Sequence, residues 1–434
     1  MTGATPDQAS TPNQASTPAP RIGSYLFPML LMVALYFSIG FITALNDILV
    51  PHFKDLFHLT NFLALLVQFC FFGAYFVMSL PSGWIVGRIG YKAGIIAALL
   101  TMTLGLLVFI PASIVISYPV FLFALFIVGS GLALLQVAIN PYVGALGNPE
   151  TAASRLNICG FFNSLATTIA PRVGAALIFI AAGATTAQLA HSVRTPYLAL
   201  AAFAFGLALV TSFVKLPRLL ETDAAPGAAK LQGSAWHFRH LRLAAAAIFT
   251  YVGAEVAIGS IMIAFLGQPS MGALSHKQAA WFVSAYWFSA MTGRLIGSFA
   301  LVVIRAQRAL AAVAVTGVLL VAITIFGHGP VAIWAIVLCG LCNSIMWPCI
   351  FPLGLKGLGP LTSQGSGILV MMVVGGAIIP ELQGFLADHF GYQHSFLAVL
   401  LCYAYLIYFA LSGYKVRQPH FATLPDFTAP IETV

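Results

Sequence analysis

Acidic residues are scarce, with 11 Asp and Glu in 434 positions, and residues of either charge make up only 7% of the chain. Water-soluble domains carry about 25% charged residues, so this shortage excludes a soluble globular protein. The chain is 60% hydrophobic with a mean hydropathy of +0.97. Apolar runs of about 20 residues, long enough to cross a bilayer as helices, recur along nearly its whole length. They leave no room for a sizeable soluble domain, which excludes an appended enzyme or binding module. A helical His-Glu-x-x-His, a Gly-x-Ser-x-Gly and a paired-aspartate motif are also missing, which argues against an intramembrane enzyme. The six cysteines (Cys70, Cys159, Cys339, Cys342, Cys349 and Cys402) lack disulfide-framework and metal-ligand spacing and fall inside apolar runs as small packing residues. The formal net charge is +8, but the basic residues sit in loops without the interleaved aromatics of a nucleic-acid face. No nucleic-acid partner and no cofactor are expected.

What is present is a series of about twelve apolar segments, near 25–53, 61–86, 92–112, 117–146, 154–182, 195–214, 242–266, 277–303, 308–326, 330–355, 364–388 and 393–413. The expected class is an all-α integral membrane protein. The first twenty residues, with QASTP repeated, are too rich in Pro, Ser, Thr and Gln to bury a core and lack the basic start and cleavage pattern of a signal peptide. They are expected to be a disordered tail. One set of connections holds Arg88, Lys92, Arg155, Lys215, Arg218, Lys230, Arg239, Arg242, Arg305, Arg308 and Lys356, while the other holds little beyond Lys54, Arg194 and Lys277. By the positive-inside bias the first set is cytoplasmic, and both termini, with Arg21, Lys415 and Arg417, fall on that side.

The longest polar interruption, 215–241, divides the chain into a six-span half at 21–214 and another at 242–413, with tails at 1–20 and 414–434. A weak repeat relates the halves. NPYVGALGNPETAAS after the fourth span echoes FPLGLKGLGPLTSQGS after the tenth, and Pro171 and Pro380 fall at comparable places in the fifth and eleventh. Such duplication suits two halves rocking about a central site.

Polar side chains inside hydrocarbon are costly and tend to face a cavity or a partner. FITALNDILVPH, in the first span, carries Asn46 beside Asp47, and Gly40, Thr43 and Asp47 share one helical face. Gln136 and Asn140 stand four apart in the fourth span, as do Asn343 and Trp347 in the tenth; Gly160, Asn163, Ser164 and Thr167 form a stripe in the fifth, and Glu255 lies beside Gly253 and Gly259 in the seventh. Carboxylates, amides and an aromatic face in one cavity are what sugar hydroxyls and ring faces need. A single amide is equally suited to bonding a neighbouring helix, worth about 0.6 kcal/mol on average. Gly375-Gly376 suits helix packing.

Several stretches carry a family likeness. GRIGYKAG at Gly87–Gly94 resembles the loop signature of the major facilitator superfamily, without its usual acidic residue before Arg88. TALNDIL, QFCFFGAYFVMSLPSGWIVGRIGYKAG, LLQVAINPYVGALG, RLNICGFFNSLATTIAP, YVGAEVAIGS, GLGPLTSQGSGI and IIPELQGFLAD together resemble the superfamily's fucose/galactose/glucose symporter family. The likeness runs from end to end apart from the tails and the central loop. It implies the major facilitator fold, with twelve transmembrane helices in two pseudo-symmetric six-helix halves. It also implies alternating-access import of a monosaccharide with a cation, H+ or Na+, by a multi-pass monomer in the bacterial inner membrane.

Asp47 falls on the family's helix-one acid, associated with coupling, and Glu255 is a possible second carrier. Gln136 stands where the fucose branch has Glu and the glucose/galactose branch has Gln, which favours glucose or galactose over fucose, with N-acetylglucosamine, carried by other members of the family, a close alternative. Asn46, Gln68, Gln136, Asn140, Asn157, Asn163, Asn343 and Trp347 are the candidate sugar-binding residues. Ser38 and Ile39 replace the Leu and Trp of the family's FLWG, and Gly160 stands where a Gln is usual. Arg88, in the loop signature, is a candidate gating residue. Arg172 after Pro171 and Glu381 after Pro380 replace apolar residues at repeat-equivalent positions, and an ion pair between them would help close the outer gate. An uncoupled facilitator or an exporter of another solute has the same hydropathy and differs in ignoring a cation gradient.

Overall fold

The structure, a computed structural model, describes residues 25–59, 61–178, 185–217 and 234–416. The tail expected at 1–20, most of the central loop and the end of the C-terminal tail lie outside the described residues. So do the side chains of Asp47 and Gln68, although their backbones are helical. The described residues are helical apart from short turns and connections, with no strand among them.

The first half contains α1 (Leu26–Phe57), α2 (Asn61–Ile89), α3 (Tyr91–Val115), α4 (Tyr118–Ala145), α5 (Ala152–Ile178), the short α6 (Thr186–Ser192) and α7 (Arg194–Phe213). The second contains α8 (Arg239–Leu266), α9 (His276–Val303), α10 (Ala306–Phe326), α11 (Gly329–Asn343), α12 (Met346–Leu355), α13 (Thr362–Met371), α14 (Gly375–Phe390), α15 (Tyr392–Ser395) and α16 (Leu397–Tyr408). Three of the expected single spans are therefore interrupted: α11 and α12, α13 and α14, and α15 and α16 each make one crossing.

Among the described residues, eleven helical segments are long and apolar enough to cross a membrane. The remaining crossing is α5, whose polarity comes from Arg155, Asn157, Asn163, Arg172 and several hydroxyls. Large apolar side chains are exposed around the outside, including Phe213 at 80% and Phe326 at 78%. That arrangement suits hydrocarbon and would be costly in water.

Local chemistry explains the helix ends and breaks. Ser275 and Gln278 form a reciprocal capping box that starts α9. At the C-terminal end of α4, Arg155 donates to the carbonyls of Val143 and Gly144 in its last turn and of Asn148 just beyond it, placing a cation where helix carbonyls are exposed. The crossing made by α11 and α12 breaks at Ser344-Ile345 because Pro348 lacks an N–H and its ring clashes with the carbonyl four residues back. A 3₁₀ turn at Met372–Val374 separates α13 from α14.

The two halves use equivalent helix crossings. In the first, α1 crosses α5 at Gly40, where a Cβ would collide with the Asn163 carbonyl. In the second, α8 crosses α14 at Gly375, where a Cβ would meet the Phe249 carbonyl. Close backbone approach at small residues is how membrane helices gain packing energy without a hydrophobic drive.

The halves meet along α2 against α13 and α5 against α9. Both seams lie toward the face that carries the basic loops. There a Cβ at Gly83 would stand 2.8 Å from the Ser363 carbonyl and Ser154 Oγ donates to Ser298 O at 2.5 Å, while α13 also touches α4, where Ser366 Oγ donates to Val137 O at 2.8 Å. Above these seams, away from the basic face, a cavity remains between the halves.

Candidate functional site

The central cavity has a volume of about 270 Å³ and takes walls from both halves. This lies just below the usual range for ligand pockets, about 300–1,000 Å³, and suits a compact solute. From α1 come Tyr36, Gly40 and Thr43; from α2, Phe72 and Tyr75; from α4, Gln136 and Asn140; from α5, Gly160, Asn163 and Thr167. The second half supplies Tyr251 and Glu255 from α8, Arg294 from α9, and Trp347 and Pro348 from α12.

The helical spacing that pairs Gln136 with Asn140 holds in space, as does the stripe at 160, 163 and 167. Gln136 Nε2 donates to Tyr75 Oη at 3.0 Å. Tyr36 donates its hydroxyl to Asn140 Oδ1, and Asn163 Nδ2 donates to Tyr36 O at 3.0 Å. Asn140 Nδ2 is buried with no hydrogen-bond partner among the described residues. A buried amide donor without a partner is costly, and here it belongs to a residue on the cavity wall. Asn140 also lines a second, larger cleft of about 620 Å³ bounded by Glu150, Arg305 and Lys356, so it stands between the central cavity and the basic face.

Trp347 stacks on Phe351, with ring centroids 5.4 Å apart and planes inclined 25°. The hydroxyl of Tyr251 donates to Glu255 Oε2 at 2.9 Å, and Arg294 Nη2 lies 3.7 Å from Glu255 Oε1. Arg294 Nη1 crosses to the first half, donating to Gly160 O at 3.0 Å and to Ser164 Oγ at 2.7 Å. The site therefore offers amide donors and acceptors, hydroxyls, one paired carboxylate and an indole face.

Three expected sugar-binding residues are not on this cavity. Asn343 is fully buried, donating to Tyr286 Oη at 2.8 Å and accepting from Tyr403 Oη at 2.6 Å. The four-residue spacing to Trp347 assumes a continuous helix, and the break at Ser344-Ile345 rotates the two apart. Asn157 is buried in the α5–α9 seam, donating to Arg294 O at 2.6 Å. Asn46 is buried in α1 without reaching the cavity wall. Asp47 and Gln68 are known only by their backbone positions, with Asp47 one turn beyond Thr43 on α1.

Of the candidate gating residues, Arg88 is exposed and lies over Trp84, 3.7 Å from the ring centroid. Arg172 and Glu381 are both exposed and are not paired; among the described residues the salt bridge is Arg294–Glu255.

Arg294 was absent from the sequence candidates, as were Tyr36, Tyr75 and Tyr251. Each carries a legible signal: Arg294 is a charge deep within the span of α9, Tyr36 lies one turn before Gly40, and Tyr251 lies one turn before Glu255.

Comparison with known proteins agrees with this architecture. The family model of the Major Facilitator Superfamily matches residues 32–379. The chain is 49% identical over 393 residues to a glucose/galactose transporter of Brucella abortus, covering 90% of this chain and 95% of that one. It is 41% identical over 400 residues to a putative glucose/galactose transporter of Helicobacter pylori, covering 89% and 97%. Among solved structures, it resembles FucP, the Escherichia coli fucose:proton symporter, in the outward conformation, with a TM-score of 0.82, 33% identity and coverage of 90% and 99%. By its twelve crossings, its paired halves and these matches, the chain belongs to the major facilitator superfamily.

Proposed function

We propose that the protein imports a monosaccharide, glucose or galactose, by symport with H+ or Na+ through alternating access. The observation that carries this reading is the cavity between the halves. Its amides can both donate to and accept from ring hydroxyls, and Trp347 offers an aromatic face to the apolar side of a sugar ring. Relatives named as glucose/galactose transporters support the substrate class. Gln136, an amide in place of an acid, supports a hexose of that branch over fucose.

In this reading the basic face is cytoplasmic, the membrane is the bacterial inner membrane, and the protein works as a monomer. The seams at that face then make this an outward-facing arrangement, as in the solved structure of FucP. Asp47 carries the coupling cation: it takes up the ion from outside, favours sugar binding while loaded, and releases both inside. A hard cation would suit the same acid with backbone carbonyls. Arg172 and Glu381 approach when the outer side closes, and sugar leaves past Asn140 through the cleft on the basic face.

The test is uptake of labelled hexoses into vesicles containing the protein, with proton and sodium gradients imposed separately. Accumulation of glucose or galactose driven by one gradient is the expected result. Uptake that ignores both gradients would identify a facilitator instead, and no uptake of any hexose would refute the sugar reading.

A further inference from the structure

The Glu255–Arg294 pair is built with a gap. At 3.7 Å, Arg294 Nη2 and Glu255 Oε1 are too far apart for a hydrogen bond, yet close enough to hold opposite charges together. Glu255 Oε1 is buried with no hydrogen-bond partner among the described residues, while Oε2 already accepts from Tyr251. Both side chains are mostly covered, at 16% exposure for Arg294 and 12% for Glu255. A buried carboxylate oxygen left without a donor is expensive, and this one belongs to a residue on the wall of the central cavity.

Resting on the sugar-transport reading, we propose that Arg294 and Glu255 form a subsite for one ring hydroxyl of the transported sugar, and that Glu255 holds Arg294 rather than carrying the coupling cation. A hydroxyl is both donor and acceptor. Its oxygen, about 2.8 Å from each group, accepts from Nη2 and donates to Oε1. The hydroxyl thus closes the open side of the pair and supplies the donor that Oε1 lacks. The carboxylate has a permanent cationic partner, so its charge is balanced without a proton or a sodium ion.

Gly160 admits this arrangement. It is an interior helical glycine without a positive φ, and glycine there costs roughly 1 kcal/mol relative to alanine. A Cβ at this position would stand 3.7 Å from Arg294 Cδ and 3.8 Å from Nη1, so one carbon fits and a longer side chain takes the place of the guanidinium. The subsite also sits at the top of the α5–α9 seam. Arg294 belongs to the second half but bonds Gly160 and Ser164 of the first, and its own carbonyl accepts from Asn157. Sugar bound here is held at the joint between the halves.

The experiment measures binding of glucose, galactose and their monodeoxy analogues to the full-length protein in detergent, alongside gradient-driven accumulation in vesicles. In the wild-type protein one analogue should bind roughly tenfold to a hundredfold more weakly than its parent, the factor carried by hydrogen bonds to charged groups. Glu255→Gln and Gly160→Gln should each weaken the parent sugar and abolish that discrimination. At saturating sugar, Glu255→Gln should still accumulate it along the gradient. If the discrimination persists in Glu255→Gln, or if that variant binds normally but cannot accumulate sugar, the proposal is overturned. The deoxy series on the wild-type protein is independent of how well the variants fold: equal binding of every analogue also overturns the subsite. If no hexose binds the wild-type protein, the sugar reading itself is overturned, a result distinct from loss of the subsite alone.

Discussion

Asn343 and Trp347 are four residues apart and face different surroundings: the amide bridges Tyr286 and Tyr403 inside the second half, and the indole lines the central cavity. The break between α11 and α12 makes both possible. It commits Asn343 to holding α9 and α16 against α11, and it turns Trp347 and Pro348 toward the first half.

Replacement of Asn343 by Ala leaves the buried Tyr403 hydroxyl without its acceptor and takes one donor from the Tyr286 hydroxyl, which keeps its own bond to Glu255 O at 3.0 Å. Unmade buried hydrogen bonds cost about 1–3 kcal/mol each, softened in membrane interiors by alternative partners. The expected outcome is a lower thermal unfolding midpoint in detergent with hexose affinity of the folded protein unchanged. A large loss of affinity at unaltered stability would return Asn343 to the binding site.

Asp47→Asn separates coupling from binding. An amide of the same shape neither takes up a proton nor supplies a negative charge to sodium. Accumulation against a gradient should vanish while counterflow exchange between equal sugar pools survives. Equal loss of both activities would assign Asp47 to binding or folding instead.

Asn140 presents a buried Nδ2 with no partner among the described residues, while its Oδ1 accepts from Tyr36. Asn140→Ala should raise the hexose dissociation constant roughly tenfold, the worth of a buried hydrogen bond. Tyr36→Phe should have a smaller effect in the same direction, because the amide loses the bond that orients it. Titration calorimetry would check both, and unchanged affinity in Asn140→Ala would remove this residue from the site.

The seam between α5 and α9 can be fastened. Ser154 and Ser298 touch across it, 2.5 Å from hydroxyl to carbonyl. A variant carrying cysteine at both positions, cross-linked by oxidation, should bind sugar but fail to transport it, with transport restored by reductant. Undiminished transport after complete cross-linking would mean that this seam need not part.

Arg172 and Glu381 sit at repeat-equivalent positions and are exposed and apart in this arrangement. If they meet when the outer side closes, reversing either charge should impair uptake, and reversing both should restore it. A double reversal no better than the single ones would leave each residue acting alone.

Much of the fold is legible in the sequence because hydrocarbon imposes a simple rule. Each crossing must satisfy its backbone internally and present apolar side chains for about 20 residues. The expected starts of α2, α3, α4, α7, α9 and α11 lie within a residue of those observed. The short α6 and the interruptions near Ser344 and Met372 were not expected, since hydropathy counts apolar residues and is blind to a local break. Within the site, Gln136, Asn140, Asn163, Glu255 and Trp347 share the cavity as expected from their types and spacings. Asn157 and Asn343 have the same chemistry but serve helix contacts.

The sequence alone determined that this chain crosses a membrane about twelve times in two related halves, because length, apolar content and repeat are one-dimensional properties. It also singled out the intramembrane polar groups, whose cost in hydrocarbon makes each of them conspicuous. Only the tertiary structure decided which of those groups face one another. Whether an amide meets a cavity or a neighbouring tyrosine depends on helix rotation and on breaks that composition does not encode. Glu255 on α8 meets Arg294 on the next helix, α9, but the placing of that pair beside Gly160 of the other half is set by packing between helices distant in sequence.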